Sequence, residues 1–275
     1  MNIYMRFPGG KAKAMTLSYD DQQRQDKRFV EILNKNGLKC TFNINSGYNG
    51  NIADKDAPTG RMSLEEMRET YAGHEVAVHT LTHPFLEQLP ISMVFEEVLG
   101  DRKNIERDFG SICRGMAYPY GTYNDAVVEA IRACGIVYSR TIHSTEHFGI
   151  PRDWLRLEPT CHHSNPRLFS MFDRFFGDHN GRAPWLFYLW GHTFEFDHNV
   201  ENNNWDHAEK FCVQADTRMY GMPPTSRFTT ILPHTRAWFG MQTALWCIIP
   251  PIPRFISPRT MPASRCSIPR ISFCM

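Results

Sequence analysis

The chain has 275 residues, 42% of them hydrophobic and 21% charged, with a formal net charge of +1. That composition is globular and excludes a disordered chain, and the balanced charge offers no field to draw in nucleic acid or an anionic membrane surface. No apolar run approaches the ~18 residues of a membrane helix, so neither nucleic acid nor membrane is expected as a partner.

The opening stretch MNIYMRFPGGKAKA carries charges and a Pro-Gly-Gly break where a signal peptide needs an apolar core. A cytoplasmic location is expected on that ground, and with it a reduced state for the eight cysteines. From about residue 14 to 212 short apolar runs alternate with amphipathic stretches, the rhythm of βα units and a parallel sheet. Ala14 to Tyr19 reads as a strand, and Asp26 to Asn36 as a helix with Phe29, Val30, Ile32 and Leu33 on one face and Gly37 as its stop. Lys39 to Ile44 is a second strand, Ser63-Leu64-Glu65-Glu66 a capping box, and Glu75 to Val78 a third strand. Ser92 to Phe109 reads as a helix, Gly115 to Tyr118 as a strand, and Asn124 as the cap of a helix to Cys134. Ile136 to Tyr138 and Leu186 to Trp190 complete the expected strands.

The C-terminal stretch differs. After Asp216 there is no acidic residue, after Lys210 no lysine, and nine of the chain's 18 prolines stand between Pro223 and Pro269. A Pro-rich partner-binding tail is one reading. The other is translation out of frame. Met and Trp have single codons, and joining each codon's third base to the next two allows the shifted frame to spell Val-Trp-Tyr-Ala-Thr-Asn-Ile-Glu-Val-Tyr-Asp-Tyr, an ordinary amphipathic sequence. Residues 213–275 are therefore expected to form an irregular Pro/Arg-rich tail produced by a frameshift, and residues 10–212 a single catalytic domain.

Four polar groups each follow an expected strand: Asp20-Asp21, His79-Thr80-Leu81-Thr82-His83, Pro119-Tyr120-Gly121 and Gly191-His192. In parallel α/β barrels reacting groups gather at the carboxyl ends of the strands, so four separate segments converge on one rim. Two histidines four apart can share a metal, and adjacent carboxylates in a cleft lose their repulsion when a divalent cation lies between them. Two His and one carboxylate leave coordination positions open, as a catalytic metal needs, and the second carboxylate is then free to take a proton from water.

The succession TLSYDDQ, GHEVAVHTLTHP, AYPYGTYND, LWGHTF resembles the polysaccharide deacetylase (chitooligosaccharide deacetylase-like) family over residues 10 to about 212. The resemblance implies a distorted (β/α) barrel of fewer than eight strands. It implies a metal, zinc with Co, Ni or Mn also tolerated, on Asp21, His79 and His83, with Asp20 as general base and His192 as general acid. The Tyr120 backbone N–H would face the oxyanion, and the substrate would be an N-acetylated amino sugar or oligosaccharide. Asp153-Trp154 matches the family's fourth motif, whose Asp would tune His192. Two positions depart from the pattern. Ala117 stands where the third motif often carries the Arg that orients the base, leaving Arg140 or Arg156 to substitute, and Gln22 stands where Gly usually follows the Asp pair. Cys161-His162-His163 reads either as a second metal cluster or as pocket lining. The alternatives to a deacetylase are a carbohydrate-binding pseudoenzyme and the same chemistry on another small amide.

Overall fold

The computed structural model describes residues 6–7, 10–48, 60–177, 183–221 and 229–230. In chain order its elements are β1 (Lys13–Asp20), α1 (Asp26–Lys35), β2 (Thr41–Ile44), α2 (Leu64–Thr70), β3 (Glu75–Val78), α3 (Ile91–Phe109), β4 (Gly115–Ala117), α4 (Asp125–Ala133), β5 (Tyr138–Arg140), β6 (Cys161–His162), α5 (Leu168–Phe176), β7 (Trp185–Gly191), α6 (Trp205–Gly221) and β8 (Thr229–Thr230). The strands form one parallel sheet in the order β5-β4-β3-β2-β1-β7-β6, with β8 paired to the start of β1.

The sheet curls into the distorted barrel that the family resemblance implies. One extended segment reaches both of its edges: Leu157 bridges Arg140 of β5, and four residues later Cys161 pairs with Leu189 of β7. Curling sets the two faces apart chemically. All eight residues of β1 are buried, as expected of a parallel strand covered on both sides. Met15, Leu17 and Tyr19 join the large core with Phe29 and Leu33 of α1, whereas Ala14 belongs to a small inner cluster with Tyr138, Leu157, Leu186 and Tyr188.

Above that inner cluster the barrel is polar. Thr41 donates to Glu75 at 2.6 Å, Tyr138 donates to the same carboxylate at 2.9 Å, and Asn43 donates to Ser18 and Asp20 at 2.7 and 2.8 Å. Gly115 has to be glycine, since a Cβ there would lie 1.9 Å from the Tyr138 hydroxyl. Buried polar groups are stable only when paired, so this lining fixes side-chain positions up to the carboxyl ends of the strands.

Local signals produce the helices. Ser63 and Glu66 close both bonds of the capping box that opens α2, and Asn124 caps α4 by accepting from the Val127 N–H at 2.9 Å. The five cysteines among the described residues are buried free thiols. No described helix is long and apolar enough to cross a membrane.

Three expectations change. The fifth strand is Tyr138–Arg140 rather than Ile136 to Tyr138. The apolar run leads into the ladder, but the paired residues include a charged Arg buried in the barrel. Helix α6 continues to Gly221 with Ala215 in the core, beyond the expected start of the irregular tail at residue 213, and Thr229–Thr230 pair with Ala14 and Met15. The rest of the proposed frameshift segment, 222–228 and 231–275, lies outside the described residues.

Candidate metal and acid-base site

Asp20 ends β1, His79 follows β3, Tyr120 follows β4 and His192 follows β7, so the sheet delivers all four to one rim. The turn after β1 is tight, with left-handed φ of 78° at Asp21 and 45° at Gln22. Gln22 turns this strained position to use. Its amide donates to the Asn45 carbonyl at 3.1 Å and accepts from the Asn45 N–H at 2.6 Å, locking the first loop to the second. Asn45 in turn donates to the carbonyls of His79 and Thr80. From beneath, the buried Asp101 of α3 accepts from the backbone N–H groups of Ser46 and His79 at 2.8 and 3.0 Å.

His79 sits with Nδ1 at 2.8 Å from the Ala117 carbonyl. That acceptor requires a proton on Nδ1, which leaves Nε2 as the ring nitrogen facing the cleft. His83 Nε2 lies 3.1 Å from His79 Nε2, and Asp21 Oδ1 lies 3.9 and 3.8 Å from the two nitrogens. The point equidistant from these three atoms is about 2.1 Å from each, the usual length of a zinc bond to nitrogen or oxygen. Asp21 Oδ1 is buried without a hydrogen-bond partner. Burial, with His79 alongside, pushes the His83 imidazole down to about 4, keeping its lone pair available at neutral pH. A buried carboxylate oxygen that accepts no hydrogen bond, beside two imidazole nitrogens, is a donor set that suits a divalent transition metal. The chain's residues fit one.

Asp20 is nearly fully buried and takes no place in that triangle. Burial raises its pKa, but Arg140, His79 and His192 outweigh burial and bring it down to about 2. The Arg140 guanidinium, itself fully buried, bonds Asp20 Oδ2 and stacks over Trp190 at 4.4 Å. Of the two arginines expected as substitutes, Arg140 is the one that meets Asp20; Arg156 pairs with Asp153 and Asp125. Asp20 Oδ2 is 3.9 Å from both His79 Nε2 and His192 Nε2, between the expected metal ligand and the expected acid. Tyr120, at φ 55°, packs its ring against the edge of His83 and stacks on Phe85 at 3.9 Å.

The Asp153 carboxylate, expected on His192, accepts from the Leu155 N–H at 2.9 Å and pairs with Arg156, capping a short turn. The carboxylate on His192 is Glu195, with Oε1 at 2.6 Å from Nδ1. Burial would lower the His192 pKa, but the Glu195 bond and the charges of Asp20 and Asp21 raise it overall. His162 and His163 converge on the other Glu195 oxygen at 3.3 and 3.2 Å. One signal for Glu195 was present in the sequence, a carboxylate three residues after a strand-end histidine.

Residues 8–139 match the family model described as polysaccharide deacetylase. A chitooligosaccharide deacetylase from Bradyrhizobium sp. (strain ANU 289) is 29% identical over 133 residues, 46% of this chain and 51% of the relative. The chain thus spans about half the length of the curated relative it matches. Among solved structures, a mutant CE4 family pseudoenzyme with restored enzymatic activity is 18% identical with a TM-score of 0.50, over 84% of this chain and 70% of that one. A family 4 carbohydrate esterase from Streptomyces lividans in complex with acetate is 16% identical with a TM-score of 0.49, over 81% of this chain and 94% of that one.

Proposed function

This chain belongs to the polysaccharide deacetylase family, and from that premise we propose that it is a metal-dependent hydrolase removing an N-acetyl group from an amino sugar or oligosaccharide. The observation that carries the reading is the meeting of Asp21 Oδ1, His79 Nε2 and His83 Nε2 around one point, with a second, non-ligating carboxylate on Asp20 beside them. A divalent ion on those three residues would polarise the acetamide carbonyl and lower the pKa of water. Zinc suits the two imidazoles and one carboxylate; Co, Ni or Mn suits them as well.

The chain's own groups then divide the proton work. Asp20, ionised and held by Arg140 and Asn43, accepts the proton of the attacking water. His192, raised in pKa and held by Glu195, donates from Nε2 to the departing amine. The Tyr120 N–H is assigned to the developing oxyanion. Phe85 and Tyr120, 39% and 48% exposed, offer a flat aromatic surface beside His83, which favours a sugar over a small amide. At two of the three features that favour a pseudoenzyme, Ala117 and Gln22 but not the C-terminal segment, the Arg140–Asp20 contact and the Gln22–Asn45 bonds support the enzyme reading.

Acetate release from chitooligosaccharides by zinc-loaded protein tests the proposal. Metal-dependent release supports it. A zinc-saturated, folded protein that releases acetate from no N-acetylated sugar overturns it.

A further inference from the structure

Glu195 is the centre of a polar cluster outside the metal triangle. Its Oε1 lies 2.6 Å from His192 Nδ1, and its Oε2 lies 3.3 Å from His162 Nε2, 3.2 Å from His163 Nε2 and 3.3 Å from Asn203 Nδ2. Four nitrogens on one carboxylate admit two readings: two of the imidazoles and Glu195 bind a second metal, or all four nitrogens donate hydrogen bonds to it.

The tautomers decide between them. The Ser164 backbone N–H points at His162 Nδ1 at 3.3 Å, so Nδ1 is an acceptor and the ring proton sits on Nε2, facing Glu195. His163 Nδ1 is buried without a partner, packed where a Cβ on residue 191 would lie 1.9 Å away, so that position has to be Gly191. His163 Nε2 faces two acceptors, Asn203 Oδ1 at 2.9 Å and Glu195 Oε2, and therefore carries the proton. A metal would require lone pairs on both Nε2 atoms, and both are donors.

Resting on the deacetylase reading, we propose that Glu195 is the positioning residue for His192: held by N–H donors from His162, His163 and Asn203, it fixes the His192 proton on Nδ1 and leaves Nε2 facing Asp20 and the departing amine. Among the described residues, Glu195 faces His162, His163, His192 and Asn203, and His192 faces Glu195 and Asp20 and feels the charge of Asp21 as well. Burial works against the Glu195 charge, but the bonds from His162, His163 and His192 hold its carboxyl far below the ordinary range, so it remains an acceptor. An imidazole with one nitrogen tied to a fixed carboxylate keeps one tautomer and one ring orientation, and losing such a partner can cost a triad histidine up to ~10⁴ in rate.

Nitrogen-15 NMR of histidine-labelled protein reads this directly, with His192 assigned by its loss in His192→Gln. Neutral His192 is expected in the Nδ1-protonated form. Glu195→Gln should populate the other tautomer, move the alkaline limb of the pH–rate profile down by about one unit, and lower kcat by roughly 10²-fold with KM within about twofold and zinc content unchanged. Glu195→Asp should recover part of the rate. An Nε2-protonated His192 in the wild-type protein overturns the assignment, and that spectrum decides even if Glu195→Gln does not fold. So does a Glu195→Gln protein with unaltered tautomer and pH profile, or one that loses a second equivalent of zinc, which would make the cluster a metal site. If zinc-loaded wild-type protein releases no acetate while its His192 tautomer responds to Glu195, the deacetylase reading fails and the positioning role stands.

Discussion

Arg140 stands directly across the β4–β5 ladder from Ala117, and its guanidinium reaches Asp20 from there. Ladder partners share a face of the sheet, so the charge that the family resemblance puts at position 117 is supplied from the neighbouring strand. Arg140→Met should lower kcat by ~10²–10⁴, the scale of a general-base contribution. It should also destabilise the fold by about 3–5 kcal/mol, because a buried carboxylate loses its partner. Ala117→Arg alone should overpack the barrel and cost about 1–3 kcal/mol, yet in an Arg140→Ala background it should restore part of the rate. Acetate release and thermal melting of the three variants check both parts.

Asp20→Asn separates the base from the metal. Asp20 lies outside the ligand triangle, so the variant should retain zinc by elemental analysis and lose ~10²–10⁴ in kcat. Full activity in Asp20→Asn would remove this residue from the mechanism.

Asp26 gives the fold a pH dependence. It is buried, accepts from Thr193 and Tyr71, and burial raises its carboxyl from 3.8 to about 7. A folded pKa above the unfolded one means that the stability from this group is complete below pH 3.8, declines between pH 3.8 and about 7, and is lost above. The slope from this one group approaches about 1.4 kcal/mol per pH unit in that window. Urea unfolding of wild type and Asp26→Asn across pH 4 to 8 should show the difference between the two proteins changing only within that range.

Gln22 balances strain against two bonds. Its φ of 45° would suit glycine, while its side chain satisfies both backbone groups of buried Asn45. Gln22→Gly relieves the left-handed strain of about 1 kcal/mol but loses the two bonds, each worth about 1 kcal/mol. Gln22→Ala loses the bonds and keeps the strain. The predicted order of melting temperature is wild type, then Gly, then Ala.

The parts of this molecule legible in the sequence are those governed by local rules. The capping box at Ser63, the Asn124 cap and the strand ends at Asp20, His79 and His192 follow from spacing and periodicity. Helix α5 was not anticipated: its sequence LFSMFDRFF has no side-chain cap, and Phe, a middling helix former, fills four of its nine positions. β6 has only two residues, too few to show an alternation. Glu195 was missed for a different reason. Its role depends on His162, His163 and Asn203, and only the fold brings those segments together. Asp153-Trp154 matches the family's fourth motif in sequence, whereas Arg156 three residues on pairs with that carboxylate locally.

The central claim is that Asp21, His79 and His83 hold one catalytic metal ion, and zinc content measured beside acetate release in the same samples tests it most directly. Wild-type protein should carry one equivalent and release acetate, with chelation removing both and added zinc restoring both. His79→Ala should lose metal and activity together. Acetate release that persists in metal-free protein, or a His79→Ala variant that keeps its zinc and its rate, would contradict the account.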